Sequence, residues 1–187
     1  MKQFRSALVL AAGLVVAGFA SAQQVVPAQS SIAFTSKQMG VPVDGKFAKW
    51  TATVAFDPKK PEAGHVNFTI DTASATFGVK ETDVEVPKPE WFSVAKFPTA
   101  TFSSTTIKPL GAGRFDVNGK LTIKGTTKDV VVPMALAQAG GSTSATGQFT
   151  LKRTDYKIGE GEWADTSTVA DEVLVKFKVV MTGVGPL

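Results

Sequence analysis

Along most of this chain the apolar residues recur at every second position. Val66, Phe68 and Ile70 alternate with His65, Asn67, Thr69 and Asp71, and Trp50, Ala52, Val54 and Phe56 alternate with Thr51, Thr53 and Ala55. Near the end Val173, Val175, Phe177, Val179 and Met181 share one face, with Lys176 and Lys178 on the other. A period of two places successive side chains on opposite faces of a strand, one buried and one wet. Strands of that kind belong to antiparallel sheets, because a parallel sheet covered on both sides reads as a continuous apolar run. The pattern therefore excludes a helical bundle and a doubly wound α/β domain.

The strands expected from this pattern run over roughly 30–37, 44–57, 64–72, 99–108, 114–124, 128–138, 143–153 and 171–183. Asn118-Gly119 is by itself a hairpin signal. Yet Phe115, Val117, Gly119, Leu121 and Ile123 keep one phase straight through it. The reading is one long strand, with Gly119 at a close approach or bulge and the turn at Lys124-Gly125-Thr126-Thr127. The next strand carries Val130, Val132, Met134 and Leu136 on one face. Residues 79–96 (VKETDVEVPKPEWFSVAK) do not alternate. Their acidic start suits a short helix that Pro87 and Pro89 would stop, leaving the pair Trp91 and Phe92 beside the prolines. The fold expected is all-β: an extended eight-stranded antiparallel barrel of the lipocalin kind, with this helical or irregular segment across one end. A β-sandwich of the same strands is the competing architecture.

The first 22 residues read differently. Lys2 and Arg5 precede an uncharged apolar stretch from Ser6 to Ala20, and Ala20-Ser21-Ala22 is a small-x-small cleavage site. This is the pattern of a secretory signal peptide, and the stretch is short for a membrane span. Cleavage after Ala22 would leave 165 residues as one domain, 23–187, exported to the periplasm. Loss of Lys2 and Arg5 lowers the net charge from +4 to +2. With no basic run, nucleic acid is not expected as a partner.

Composition narrows the chemistry. With no cysteine and one histidine, thiolate nucleophiles, disulfides and multi-imidazole metal centres are impossible. His65 is expected to face solvent. Asp155, Glu160, Glu162, Asp165, Asp171 and Glu172 crowd the segment 155–172, where carboxylate pairs could serve glycoside hydrolysis. Lys152, Arg153 and Lys157 lie nearby as ion-pair partners, and no calcium-loop spacing is present. Ile158-Gly159-Glu160-Gly161-Glu162-Trp163 lacks a dinucleotide fingerprint and is read as a loop, with Trp163 folding back as a lid or plug. Aromatic residues are plentiful, and they suit either a packed core or an apolar cavity. Periodicity does not choose between the two.

Several stretches in order resemble the YceI-like family. Ser30-Ser31-Ile32-Ala33-Phe34 is similar to its first strand, and Val43-Asp44-Gly45-Lys46-Phe47 to its V-x-G-x-F turn. Phe97-Pro98-Thr99-Ala100-Thr101-Phe102-Ser103-Ser104 resembles F-P-x-A-x-F-x-S. Asn118-Gly119-Lys120-Leu121-Thr122-Ile123-Lys124-Gly125 resembles G-x-L-T-I-x-G, and Arg153-Thr154-Asp155-Tyr156-Lys157-Ile158-Gly159 resembles R-x-D-[FY]-x-I-G. The chain departs from the pattern at Gln29 and at Val84-Glu85-Val86-Pro87, where the family often carries histidine. The resemblance implies a periplasmic lipocalin-like barrel whose apolar tunnel binds a polyisoprenoid or other long-chain lipid, without catalysis and without a cofactor or metal. It further implies links to isoprenoid quinone handling, with a membrane or b-type cytochrome as partner. A homodimer through a long edge strand is an additional expectation. From strand phase and the aromatic pair, the tunnel is expected to be lined by Phe34, Phe47, Trp50, Phe77, Trp91, Phe92 and Phe102, with Trp91 and Phe92 over its mouth. Two other functions compete: a solid-core structural or partner-binding module, and a carboxylate-dependent glycosidase using the 155–172 loop.

Overall fold

The computed structural model describes residues 23–187; the expected signal peptide, 1–22, lies outside the described residues. The described chain is all-β. Its strands are β1 (Gln24–Val25), β2 (Ser31–Gln38), β3 (Val41–Phe47), β4 (Trp50–Ala55), β5 (His65–Asp71), β6 (Ala75–Thr76), β7 (Thr99–Gly111), β8 (Arg114–Ile123), β9 (Thr126–Ala139), β10 (Ser142–Lys152) and β11 (Glu172–Thr182). All pairings between them are antiparallel, in the order β4-β5-β7-β8-β9-β10-β11-β2-β3-β6, with β1 on β11.

The order explains the curl. β3 and β4 are consecutive in the chain, yet they stand near opposite ends of the sheet. Only Ala48 and Lys49 join them. The three Cα–Cα steps from Phe47 to Trp50 span at most about 11 Å even when extended. The two edges must therefore meet, and the sheet rolls into a barrel. At this seam Ala48 N–H donates to Ser74 O (3.0 Å), Lys49 N–H to Ser74 Oγ (3.0 Å) and Asp71 N–H to Lys49 O (3.0 Å). Toward the opposite end the Gln23 side chain takes over: its amide nitrogen donates to Phe56 O, and its oxygen accepts from Phe56 N–H at 2.8 Å. The single strand expected over 44–57 is thus two. The phase itself records the break, because the half-buried positions are Val43, Gly45 and Phe47 before it and Trp50, Ala52 and Val54 after it.

β8 runs unbroken through Asn118-Gly119. The turn that follows is tighter than expected: Lys124 (φ 47°) and Gly125 (φ 75°) alone connect β8 to β9. Both lie in the left-handed region, as a two-residue type I′ hairpin requires. Gly119 is a close approach. A Cβ there would lie 2.5 Å from Phe102 Cζ and 2.6 Å from Ser103 O. The partner strand is irregular at the same level, with a register shift between Ser104 and Thr106. Because Ser103 O is backbone and cannot swing aside, Gly119→Ala is expected to cost about 1–3 kcal/mol through overpacking. Chemical denaturation of the two proteins checks this; an unchanged midpoint would show that the wall has slack there.

Residues 79–97 cross one end of the barrel as expected. A four-residue helix, α1 (Lys80–Asp83), gives way to turns, with Val86 buried beneath them.

Candidate functional site: an apolar cavity inside the barrel

The inward faces of the strands enclose a cavity of about 210 Å³. Its wall is apolar apart from Ser36, Thr143 and Arg153. The lining on β11 runs from Val173 to Met181, about 26 Å along the strand at roughly 3.3 Å per residue. The volume falls below the about 300–1,000 Å³ usual for small-molecule pockets, so the space is long and narrow.

Why the barrel is hollow follows from three inward glycines. Gly45 stands directly across from Phe34, and Gly147 directly across from Phe177. Gly119 lies under Phe102, one step diagonally away. In each case a Cβ on the glycine would strike the ring. With no Cβ there, each ring lies against the neighbouring backbone instead of projecting into the lumen. Phe34, Phe102 and Phe177 all line the cavity.

Six of the seven residues expected to line the tunnel border this cavity: Phe34, Phe47, Phe77, Trp91, Phe92 and Phe102. Four of them form a chain of rings at one end. Phe34 packs on Phe47 and on Phe77, each at 5.2 Å between centroids, and Phe47 meets Phe92 at 6.0 Å. Trp50 is placed elsewhere. It packs on Phe68 at 5.8 Å and lines a separate surface cleft at the seam, with Lys46, Lys49 and Asp71. Its side chain has the inward phase, but β4 is the last strand of the sheet, so the start of its inner face fronts the seam rather than the lumen. The expected lining named aromatic residues alone and so omitted the aliphatic majority of the wall, including Ile32, Val117, Leu121, Val132, Leu136 and Val179, although phase had already put most of these on the apolar strand faces.

At the end of the cavity beneath residues 84–97 two cations are buried, Arg153 on the cavity wall and Lys124 under the same segment. Arg153 is 1% exposed. Its Nη1 donates to Ile158 O and Gly159 O (both 2.9 Å), its Nη2 to Val169 O (2.7 Å), and its Nε to Val169 O and Ala170 O (3.3 and 3.2 Å). It thus pairs with backbone carbonyls rather than with the neighbouring acids the sequence offers. Burial pulls the guanidinium below its ordinary range, opposed by the charge of Asp171. Burial alone would raise Asp171, but hydrogen bonds from the Thr154 hydroxyl and amide, with the charges of Lys152 and Arg153, hold it below the usual carboxylate range. Lys124, from the tight turn, reaches Pro89 O (2.6 Å), Lys157 O (2.7 Å) and Glu160 Oε2 (2.8 Å). Glu90 O accepts from the amides of Gly159 and Glu160, at 2.8 and 3.0 Å. The crossing segment and the 153–170 loop are therefore tied into one lid. Trp163 folds back onto Trp91, with ring centroids 5.5 Å apart. Tyr156, 2% exposed, is pushed up to about 12 by burial, with Asp155 adding to the rise.

The acidic residues of this loop are mostly engaged singly. Glu160 pairs with Lys124, Asp155 lies 3.9 Å from Lys128, Asp171 accepts from Thr154, and Asp165 accepts from the amide of Ser167. Among the described residues no group of three or more His, Asp or Glu side chains is placed to hold a metal. His65 is exposed.

Comparison with known proteins agrees with this architecture. The solved structure of Burkholderia cenocepacia BcnA is 44% identical, with a TM-score of 0.82 over 84% of this chain and 99% of that one. A polyisoprenoid binding domain from Saccharophagus degradans, described as implicated in plant cell wall breakdown, shares the fold at 16% identity. Its TM-score is 0.71, over 86% of this chain and 98% of that one. A UPF0312 protein of Pseudomonas savastanoi pv. phaseolicola is 33% identical over 178 residues, covering 89% of this chain and 93% of that protein. Residues 23–181 match the YceI-like domain, and the chain belongs to that family.

Proposed function

We propose that this protein is exported to the periplasm, where it binds a polyisoprenoid or similar long-chain lipid in the barrel cavity and carries or sequesters it without catalysis. The observation that carries the reading is the lumen itself: a long, narrow, apolar space kept open by rings lying on glycines. A slender hydrocarbon chain suits such a space better than a compact ring system. Each buried methylene contributes about 0.8 kcal/mol, so ten of them contribute about 8 kcal/mol, the scale of a micromolar Kd. The Saccharophagus degradans domain of the same fold is described as binding polyisoprenoids, the ligand class proposed here. The family resemblance adds a membrane or a b-type cytochrome as donor or acceptor of the lipid.

The test is titration of the mature protein with geranylgeraniol, followed by tryptophan fluorescence. Saturation near one molecule per chain is expected; unsaturable partitioning or no response would contradict the reading. Export has its own check. Intact-mass analysis of the periplasmic fraction is expected to give a chain beginning at Gln23, and retention of residues 1–22 in the membrane fraction would overturn the export assignment.

A further inference from the structure

The outer wall of the barrel carries four lysines beside the seam, and the register places them together. Lys46 of β3, Ala33 of β2 and Lys176 of β11 stand in one row across the sheet. Lys178 of β11 stands opposite Ser31 of β2 in the next outward row. Lys49 lies in the link between β3 and β4 and lines the seam cleft together with Lys46 and Ser31. Two strands separate Lys46 from Lys176, about 10 Å, and two residues separate Lys176 from Lys178, about 7 Å. Such spacings are close to the screening length of about 8 Å at physiological salt, so the charges act as one field.

All four lysines are exposed, and among the described residues none of them has an ion-pair partner. The acidic groups on this face are fewer. Asp44 accepts from the Thr35 hydroxyl at 2.6 Å, Asp71 accepts from the Ala73 amide at 2.9 Å, and Glu172 stands opposite Lys152 at the lid end of β11. The face has a second feature. Ile32 and Phe47 line both the lumen and the seam cleft. The basic face therefore borders a cleft that is separated from the lumen by side chains common to both.

Resting on the lipid-binding reading above, we propose that this face docks on an anionic bilayer surface, with Lys46, Lys49, Lys176 and Lys178 over the head-group phosphates and the seam cleft turned toward the membrane. The kind of cation favours a bilayer over an acidic protein. A carboxylate at one defined place is best matched by the planar fork of arginine. The arginines among the described residues are Arg114, on β8, and the buried Arg153, so neither stands on this face. Lysine is a mobile point charge, which suits a diffuse layer of phosphates. Near an anionic surface each lysine contributes about fivefold in affinity, and the four contributions add because all lie on one side of the barrel.

Co-sedimentation of the mature protein with vesicles tests the assignment. One set contains phosphatidylglycerol mixed with phosphatidylcholine, the other phosphatidylcholine alone. Binding to the mixed vesicles is expected, falling steeply as salt is raised, and none to phosphatidylcholine alone. The variant with Lys46→Gln, Lys49→Gln, Lys176→Gln and Lys178→Gln is expected to bind more than about a hundredfold more weakly, with its melting temperature unchanged because all four side chains are exposed. A control removes the same charge elsewhere: Lys59→Gln, Lys60→Gln, Lys108→Gln and Arg114→Gln together are expected to weaken binding less than about threefold, since charges beyond a screening length count little. Should the first variant fail to fold, Lys46→Gln and Lys178→Gln singly decide, each with an expected loss of about fivefold. Equal weakening by the two fourfold variants would overturn the proposal, because net charge alone would then govern binding. So would binding that salt leaves unchanged, or that phosphatidylcholine alone matches. Failure to bind the mixed vesicles would overturn it too, and leave the face to an acidic protein. Docking is read without any isoprenoid. A protein that docks by this face yet takes up no geranylgeraniol keeps its docking face, and it is the lipid-binding reading that fails.

Discussion

Arg153→Met is expected to lower stability by about 3–5 kcal/mol, because several buried backbone carbonyls lose their donor together. Methionine keeps much of the stem and removes the guanidinium. Four carbonyls on two stretches of the lid, Ile158 and Gly159 on one and Val169 and Ala170 on the other, then lose their donor. Each buried carbonyl left unpaired costs about 1–3 kcal/mol, offset where water can reach it. In a chain of this size about 2–4 °C of melting temperature goes with each kcal/mol, so a fall of roughly 10 °C or more is expected. Arg153→Lys should rescue little, because a compact ammonium cannot reproduce the planar fork that reaches both stretches. A loss under 1 kcal/mol for Arg153→Met, measured by denaturant unfolding, would show that the lid is held by something else.

Phe102→Asp is expected to abolish lipid retention. The ring is on the cavity wall and 9% exposed, and a carboxylate in its place would face an apolar lumen with no partner, a penalty of several kcal/mol. Phe102→Ala leaves the wall apolar and the lumen wider; it should cost about 3 kcal/mol of stability and keep its lipid. A third variant separates blocked binding from poor folding. Ala145 lines the same cavity and is almost fully buried, so Ala145→Phe directs a ring into the lumen without adding charge. It is expected to exclude the ligand. Melting temperature and lipid-to-protein ratio are read together. A folded Phe102→Asp or Ala145→Phe protein that keeps a full complement of lipid would place the ligand outside this cavity.

Much of the fold was legible because a period of two writes the inward face directly into the sequence. The phase through Asn118-Gly119 outweighed a strong local turn signal, and β8 runs straight through that dipeptide. The break between β3 and β4 was equally written, as a shift of inward residues from odd to even numbers between Phe47 and Trp50, yet an uninterrupted strand was the simpler reading. Trp50 shows the limit of phase: it tells which side of a strand a residue takes, not whether that side fronts a lumen or a seam. Arg153 and Lys124 show another. A cation satisfied by carbonyls has no acidic residue at a telling spacing, so its partners exist only once distant loops come together. The hollow interior was left open by periodicity, but a signal for it was present. Glycine at inward strand positions 45, 119 and 147 marks where a ring across the ladder can lie down, and those pairings become visible only when the register is known.

The central claim is that this cavity holds a long-chain lipid, and native mass spectrometry of the mature protein, purified from cells without detergent or denaturant, tests it most directly. The result expected is a second population of protein, heavier by one lipid mass, which collapses to the bare chain mass on denaturation. Organic extraction of the same sample is expected to yield that lipid. A single species at the bare mass, together with failure to take up geranylgeraniol afterwards, would contradict the account and leave the barrel a structural or partner-binding module.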